Sequence, residues 1–198
     1  PDSTAWIYPH SGFFSMRSGW DKDAICLVLK CGPDGGGHCQ PDNGTFELYA
    51  GGWNLMPDAG SYIYSGDPEG RNWFRQTKVH QTLTLNGENL KYAPKLLLWK
   101  PGENLDVLVV ENESYPDLTH RRAVLFVDKK FFVIVDEALG MGIGDVDLHF
   151  QMAPGKAIFD KDKFSVVSDL AGDWNVKVQT MKQSEMELIE EEGQVSFR

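Results

Sequence analysis

No apolar run in this 198-residue sequence approaches the roughly 20 residues that a membrane-spanning helix needs. A basic segment followed by an apolar one, the pattern of a secretory signal peptide, is also absent. Basic residues are scarce, 19 against 29 acidic residues, and the formal net charge is −10. Because binding to polyanions depends on positive charge, the acidic excess argues against a nucleic-acid partner. The lack of a long apolar run argues against a membrane-spanning protein.

Cysteine is also rare, and the three that occur are Cys26, Cys31 and Cys39. An odd number excludes a fully paired disulfide framework. One disulfide stays possible, but Cys26 lies within the apolar run Ala24–Leu29, which favours a buried thiol. The chain begins with Pro1 rather than with Met, and we expect it to be processed or cut from a longer polypeptide.

Hydrophobic residues make up 41 % of the chain and aromatic residues 12 %, which excludes an intrinsically disordered protein. Short runs rich in Val, Ile, Phe, Tyr and Thr recur between turn-forming residues and predict about ten strands. The predicted strands are Phe13–Arg17, Ala24–Lys30, Thr45–Ala50, Val79–Leu85, Asp106–Glu111, Ala123–Val127, Phe131–Asp136, Val146–Met152, Phe164–Val167 and Trp174–Gln179. This series predicts an all-β protein, one large antiparallel β-sandwich spanning residues 1–198.

Local patterns refine this prediction. The segments Val79–Leu85 and Val146–Met152 alternate apolar and polar residues, which predicts one buried and one polar face for each. Asp128-Lys129-Lys130 and Asn86-Gly87 follow strands and predict tight turns. The only helix candidate is Gln183–Glu192, but its acidic run favours a solvated face or an exposed strand.

Candidate functional residues concentrate between Cys31 and Gln81. The glycine-rich run Gly32–His38 has three consecutive glycines before His38, which allow unusual backbone dihedrals and close approach to a ligand. The run is not a phosphate-binding loop, because no Lys-Ser/Thr follows it and no helix pattern receives it. In an extended chain, His38 and Gln40 point the same way.

Two further polar residues suit a metal site. Asp58 follows a strand in a turn, and His80 is expected on the polar face of a strand. A His, an Asp and a neutral ligand from separate strands could hold a divalent metal. Each has a structural alternative, since Asp58 suits a turn and His80 suits a hydrogen bond to a neighbouring Asp. The remaining histidines are expected to be solvated or hydrogen bonded without a functional role: His10, His120 and His149.

Aromatic and basic side chains complete the region. Arg71 and Arg75 flank an aromatic pair and suit either substrate binding or structural ion pairs. The aromatic residues suit a sugar-stacking platform, although in sandwiches such residues more often form core: Tyr62, Tyr64, Trp73 and Phe74. The residues alone therefore predict a β-sandwich with one polar site near His38 and His80.

Five ordered motifs between about residues 12 and 85 carry a resemblance to a known family. They are Gly12–Trp20, Gly32-Pro33 to Gly37-His38, Pro41-Asp42 to Phe46-Glu47-Leu48-Tyr49, Asp58–Tyr62, and Phe74–Thr77 with Val79-His80. This pattern resembles the C-terminal domain of the heparinase II/III-like polysaccharide lyases, and most closely their heparan-sulfate lyases of the heparinase III type. Alginate lyases of the same architecture share much of it.

The resemblance implies an activity. These enzymes pair an N-terminal α/α toroid with a C-terminal antiparallel β-sandwich, and the sugar lies between the two. They cleave uronic-acid-containing glycans by β-elimination, in which a base removes the C5 proton and the 4-oxygen leaves. The resemblance implies that the substrate is heparan sulfate, a sulfated glycosaminoglycan, and that His38 is the catalytic histidine of the sandwich. For such an anionic substrate, we predict that Arg71 and Arg75 bind it.

The resemblance also implies a structural divalent metal, with zinc expected first, held by Gln40, Asp58 and His80. Relatives often carry a His where this chain has Gln40. Because an amide oxygen is a harder and weaker ligand than imidazole, calcium or manganese is an alternative to zinc here.

This chain also differs from the family because it lacks the α/α toroid. Ten short strands leave no room for an α/α toroid, and we expect this chain to be one domain of a larger lyase that is inactive in isolation. The catalytic Tyr and the carboxylate-binding Asn of the family would lie on that toroid. By the same resemblance, we expect a periplasmic location.

Two other function classes compete. A non-catalytic carbohydrate-binding module would use the aromatics together with Arg71 and Arg75. A cupin-like metalloenzyme is disfavoured, because Gln40 stands where a His-x-His pair would need its second His. If the substrate is sulfated, the acidic excess should lie away from His38, much of it in Glu185–Glu192, with Arg71, Arg75 and Lys78 nearer the sugar.

Overall fold

The computed structural model describes residues 3–195, which form mainly short antiparallel strands. The first five strands form one sheet in chain order. They are β1 (Ala5–Tyr8), β2 (Phe13–Arg17), β3 (Cys26–Lys30), β4 (Phe46–Ala50) and β5 (Trp53–Met56). One short helix, α1 (Pro68–Phe74), follows this sheet, and single 3-10 turns occur at Gly36–His38 and Thr77–Val79.

A second sheet contains four longer strands in the order β10-β9-β8-β7. They are β7 (Pro94–Lys100), β8 (Leu105–Tyr115), β9 (Leu118–Val127) and β10 (Phe131–Gly140). Two small sheets complete the fold. One pairs β6 (Leu83–Leu85) with β11 (Val146–Leu148), and the other joins β12 (Lys156–Asp160), β13 (Ser165–Asp169) and β14 (Lys177–Gln179).

The main core lies between the five-stranded and four-stranded sheets, which confirms the predicted all-β sandwich. Strand β9 alternates throughout and β8 does so as far as Ser114, so that every second side chain there is buried. The inward residues of the two sheets share one apolar cluster that includes Phe14, Met16, Leu27, Leu29, Phe46, Leu108, Val110, Val124 and Phe126. Two of the three free cysteines, Cys26 and Cys31, are buried, and Cys39 is partly buried.

Both predicted tight turns are present. Asp128 and Lys129 have positive φ between β9 and β10, and the amide of Lys130 donates to the carbonyl of Val127 at 2.9 Å. Asn86 and Gly87 also have positive φ. Two consecutive positive φ values match the type I′ turn, whose twist suits antiparallel strands.

The predicted strand Val79–Leu85 is wrong over its first half. Only Leu83–Leu85 is a strand, and the whole segment is buried rather than alternating. The reason is that its polar side chains have partners outside any sheet ladder. Gln81, for example, donates through its amide to the carbonyl of Met56 at 3.0 Å. The alternation reports a buried polar network here, not a polar strand face.

The predicted strand Val146–Met152 is also shorter than expected. Strand β11 ends at Leu148, and Val146 and Leu148 are exposed, whereas Phe150 and Met152 pack against the main core. The acidic segment Gln183–Glu192 contains neither helix nor strand and is largely exposed. Within residues 3–195, no helix is long and apolar enough to cross a membrane.

Sequence reasoning missed four strands and helix α1. The strands are β1, β5, β7 and β12, most of which have many exposed residues. Helix α1 has a local signal, because Asp67 caps its N-terminus by accepting from the amide of Gly70 at 2.9 Å and Pro68 opens its first turn.

A buried ion pair lies within the second sheet and is bonded to chain segments outside it. Arg122 on β9 is 1 % exposed and pairs with Asp136, its cross-strand neighbour on β10, at 2.7 Å. The same guanidinium donates to the carbonyls of Gly44, at 2.6 Å, and Gln81, at 2.5 Å. His120 donates to Asp136 at 2.7 Å, in a structural role as expected.

We expect Asp136→Asn to lower the free energy of unfolding by about 3–5 kcal/mol, because it leaves a buried guanidinium without its counter-charge. Urea unfolding of the chain measures this. The matched control is Glu137→Gln on the same strand, whose exposed pair with Arg121 is worth about 1 kcal/mol or less. Equal effects of the two substitutions would contradict this account of the ion pair.

The same carboxylate predicts a pH dependence. Burial raises the pKa of Asp136, but the charge of Arg122 and hydrogen bonds from His120 and Arg122 outweigh burial and lower the pKa to about 2. An unfolded Asp has a pKa of about 3.9. The ionised group therefore stabilises the fold above pH ~4, and roughly 2–3 kcal/mol is lost as the pH falls toward ~2.

Unfolding curves recorded between these pH values test this expectation. Asp136→Asn should be less stable than the wild type at neutral pH and should lose this part of the acid dependence. An unchanged slope in the variant would show that other carboxylates account for acid unfolding.

Candidate functional site

His38 lies at the end of the 3-10 turn Gly36–His38, in an exposed loop that follows β3. Gly36 has φ of +71°, a conformation that favours glycine, and its amide donates to Oδ1 of Asp34 at 2.8 Å. A Cβ at Gly35 would lie 2.4 Å from Sγ of Cys39. The glycines are therefore needed for a tight loop that presents His38 to solvent.

Tyr64 is the side-chain partner of His38. Its hydroxyl lies 3.2 Å from Nδ1 of the imidazole, and the two rings meet edge to face with centroids 5.7 Å apart. Tyr64 is 61 % exposed, so both groups are accessible to a ligand. Sequence reasoning included Tyr64 only among four aromatic residues and gave it no contact with His38.

Helix α1 directs two arginines at the same loop. Arg71 donates to the carbonyls of Ile63, at 2.7 Å, and Gly37, at 3.4 Å, and its guanidinium lies 4.8 Å from the centroid of the Tyr64 ring. Arg75, which follows the helix, donates to the carbonyl of Cys39 at 2.7 Å. The structure thus places both predicted substrate-binding residues beside His38, where they bind loop backbone.

The other aromatics of this region form a local cluster. Tyr62 stacks on Phe74 with centroids 5.0 Å apart, and Trp73 meets Phe74 edge to face at 4.8 Å. Phe74 is buried. These three residues therefore pack against one another rather than forming a sugar-stacking platform. Tyr64 is the exposed aromatic residue beside His38.

A second cluster contains Asp58 and His80, as the sequence predicted. Asp58 follows β5 in a turn where its Oδ1 accepts from the amide of Gly60 at 2.8 Å, and Gly60 has φ of +66°. Oδ2 of Asp58 accepts from Nδ1 of His80 at 2.8 Å. His80 is fully buried, and its Nε2 has no hydrogen-bond partner among the described residues.

Asp42 joins this pair. Asp42, Asp58 and His80 each offer one ligand atom, and the three atoms lie within 4.8 Å of one another. Asp42 is also paired with the ammonium of Lys30. The same ammonium lies 3.4 Å from the backbone carbonyl of Gln40, so that Gln40 borders the cluster through its main chain.

Hydrogen bonds between two chain segments explain why these residues meet. Thr77 donates through Oγ1 to the carbonyl of Pro41 at 2.6 Å, and Thr82 donates through Oγ1 to the carbonyl of Asn43 at 2.7 Å. These bonds hold residues 77–82 along residues 41–43. His80 and Asp42, each in the middle of its segment, are consequently brought together.

The pKa values of the two carboxylates, Asp42 and Asp58, are shifted in opposite directions. Burial raises the pKa of Asp42, and this effect outweighs the charges of Lys30 and His80. Burial also raises the pKa of Asp58, but the hydrogen bond and the charge of His80 outweigh it, so that the pKa of Asp58 is lowered. Asp58 is thus the more strongly anionic member of the cluster.

The donor set fits a divalent cation. Two carboxylates and an imidazole are ligands that zinc, calcium or manganese accepts to different degrees, and the unpartnered Nε2 of His80 is a buried polar atom that lacks its expected partner. Sequence analysis did not predict Asp42 as a ligand. Its spacing of two residues from Gln40, which puts both side chains on one side of an extended chain, is a signal that could have found it.

Residues 1–197 match the family described as Heparinase II/III-like, C-terminal. The heparin-sulfate lyase of Pedobacter heparinus is 45 % identical over 202 residues, which cover 100 % of this chain and 31 % of that protein. The heparin-sulfate lyase of Bacteroides stercoris is 46 % identical over 187 residues, which cover 92 % of this chain and 28 % of that protein.

Solved structures show the same similarity. The heparan sulfate lyase HepC mutant from Pedobacter heparinus superposes with a TM-score of 0.95 at 43 % identity, covering 99 % of this chain and 32 % of that one. Heparinase III superposes with a TM-score of 0.84 at 35 % identity, covering 90 % and 29 %. The chain therefore spans about a third of the length of its relatives and belongs to the heparinase II/III-like family, as the C-terminal domain.

Proposed function

We propose that this chain is the β-sandwich domain of a lyase that cleaves heparan sulfate by β-elimination, with His38 at the reacting sugar. Family membership supports the reaction class, and the exposed His38 on its glycine loop supports the residue. The names of the relatives support the substrate. The proposal extends to a periplasmic location and to an α/α toroid domain that faces the His38 loop.

The reaction sets three requirements. A base must take the C5 proton of the uronate, a donor or cation must stabilise the negative charge that builds on its carboxylate, and a proton must reach the departing 4-oxygen. The loop would supply one of these groups, because the imidazole of His38 is exposed and, within the described part of the chain, hydrogen bonded on one ring nitrogen only. The toroid would supply the others.

The charges around the loop suit an anionic sugar. Arg71 and Arg75 donate to backbone carbonyls, which leave their charges uncompensated, and neither forms a salt bridge among residues 3–195. The nearby carboxylates Asp42 and Asp58 are paired with Lys30 and His80 instead. Asp34 adds one exposed carboxylate to the loop of His38, where it accepts from the amide of Gly36. A net charge of −10 is therefore compatible with two uncompensated arginines beside His38.

We propose further that Asp42, Asp58 and His80 hold a divalent metal, with Gln40 as an additional ligand. A bound metal would supply positive charge that ties three chain segments together, and its role would be structural. The chain's own residues already prepare the site, because Asp58 orients His80 and the Thr77 and Thr82 bonds set its distance from Asp42.

A carbohydrate-binding role without cleavage is the second candidate. A shallow groove on the outer face of β1–β3 is lined by exposed aromatic side chains beside a cation, among them Trp6, Tyr8, Phe13, Arg17 and Trp20. Arg17 lies 4.3 Å from the centroid of the Trp20 ring. Binding of heparan sulfate to the 198-residue chain with an affinity that His38→Ala leaves unchanged would favour this role.

Metal binding at this cluster should raise the melting temperature of the chain. We expect zinc added to chelator-treated chain to raise its melting temperature by roughly 5–10 °C at a hundredfold excess over the dissociation constant. Asp58→Asn and His80→Gln should abolish this rise, and Gln40→Ala should reduce it. Asp34→Asn, a substitution of an exposed carboxylate outside the cluster, is the matched control.

Metal analysis after dialysis gives the independent readout. A chain without bound divalent metal, whose melting temperature is also insensitive to chelator, would contradict the proposal. Unchanged binding in Gln40→Ala alone would remove Gln40 from the ligand set and leave the other three.

A catalytic role of His38 predicts that its removal lowers product formation. In the full-length protein, we expect His38→Ala to lower the formation of unsaturated uronate by about 100-fold or more, because it removes a group that acts on the reacting sugar. Ultraviolet absorbance of the conjugated product measures the rate. The control is His10→Ala, which removes an exposed histidine outside the site, and the 198-residue chain alone should form no product.

Two outcomes would overturn this assignment. Wild-type turnover in His38→Ala would remove His38 from the mechanism. Substantial turnover by the 198-residue chain alone would refute its dependence on a further domain. Cleavage of alginate in preference to heparan sulfate would keep the reaction and change the substrate.

A further inference from the structure

Tyr64 makes two kinds of contact that bear on how His38 works. Its hydroxyl is hydrogen bonded to Nδ1 of His38 at 3.2 Å, and its ring lies beneath the guanidinium of Arg71. Nε2 of His38 has no hydrogen bond within residues 3–195, and the side chain is exposed. The imidazole is thus held from one nitrogen, while the other nitrogen is available to a ligand.

The direction of this hydrogen bond follows from the two groups. A neutral imidazole carries one N–H and one lone pair, and its lone-pair nitrogen is a good acceptor for a phenolic O–H. Donation leaves partial negative charge on the phenol, and the cation of Arg71 over the ring favours that polarity. These two effects favour Tyr64 as the donor to Nδ1, which puts the imidazole proton on Nε2.

We infer that Tyr64 is a positioning residue that makes His38 a hydrogen-bond donor through Nε2, rather than the base that takes the C5 proton. This inference rests on the proposed function and assigns a role within it. In this role, His38 neither gains nor loses a proton. It donates a hydrogen bond to the uronate carboxylate as negative charge accumulates there, and the base comes from elsewhere in the full-length protein.

Arg71 supports this arrangement from both sides. One of its nitrogens binds the carbonyl of Gly37, next to His38, and another binds the carbonyl of Ile63, next to Tyr64. One guanidinium thus connects the loop that carries the histidine with the segment that carries its partner. Because the glycines before His38 give the loop little rigidity of its own, this connection defines the distance between the imidazole and the phenol.

The tautomer of His38 can be measured directly in the 198-residue chain. In nitrogen-15 spectra recorded where histidine is neutral, we expect His38 to carry its proton on Nε2, with the Nδ1 resonance shifted by an accepted hydrogen bond. His38→Ala assigns the signals. Tyr64→Phe, which keeps the ring and removes only the hydroxyl, should shift Nδ1 toward the value of an unbonded acceptor.

The matched control for this substitution is Tyr62→Phe. It removes a hydroxyl from a neighbouring tyrosine that stacks on Phe74 and, within residues 3–195, forms no hydrogen bond to His38, so the His38 resonances should stay in place. A proton on Nδ1 of His38 in the wild-type chain would overturn the inference, because Nε2 would then be a free base. Identical Nδ1 resonances in wild type and Tyr64→Phe would overturn it as well.

Kinetics of the full-length protein test whether Tyr64 contributes to turnover through His38. We expect Tyr64→Phe to lower kcat roughly 10-fold or more with KM nearly unchanged, as for loss of an outer partner that orients a reacting histidine. Tyr62→Phe should keep wild-type kcat. Unchanged kcat in Tyr64→Phe, alongside a strong loss in His38→Ala, would overturn the role of Tyr64 and leave the proposed function standing. Wild-type turnover in His38→Ala would instead refute the proposed function.

Discussion

The buried guanidinium of Arg122 is the constraint on which the rest of this structure depends. It lies at 1 % exposure between the two large sheets, where an unpaired charge would be costly. Asp136 supplies the counter-charge from the neighbouring strand, and the carbonyls of Gly44 and Gln81 take two further hydrogen bonds. Satisfying Arg122 therefore requires the four-stranded sheet to meet two non-strand segments of the chain at one point. Those two segments carry Asp42 and His80, two of the three residues of the candidate metal cluster.

The consequence is that polar bonds, more than apolar packing, locate the cluster. Gln81 is fixed by Arg122 at its carbonyl and by the carbonyl of Met56 at its side chain, and His80 precedes it. Asn43, which follows Asp42, is bonded to Gly32 at both ends of its amide and to Asn112 of the second sheet. A network of this kind specifies one geometry, because each broken bond leaves a buried polar group without water.

Sequence patterns predicted the sandwich because runs rich in Val, Ile and Phe between turn residues marked its strands, and most of β8, β9 and β10 was found for that reason. They failed where burial is not alternate. The segment from Val79 to Leu85 is buried throughout, so its polar residues mimic the outer face of a strand. Local spacing placed His38 on a glycine loop, whereas the pairing of Asp58 with His80 followed from the family resemblance. The contact between His38 and Tyr64 joins residues 26 apart through two loops and an arginine, and no local pattern contains that information.

The two parts of the site differ in how they are held, and this difference suits their proposed roles. His80 and its carboxylate neighbours sit inside the buried network, where a structural metal would add to an existing geometry. His38 lies outside that network, on an exposed loop that Arg71, Arg75 and Tyr64 bond to neighbouring segments. A histidine that donates to a flexible polysaccharide needs solvent access and a defined proton position more than burial. Tyr64 supplies the proton position without enclosing the ring, so the loop can be open to the sugar while its chemistry stays specified.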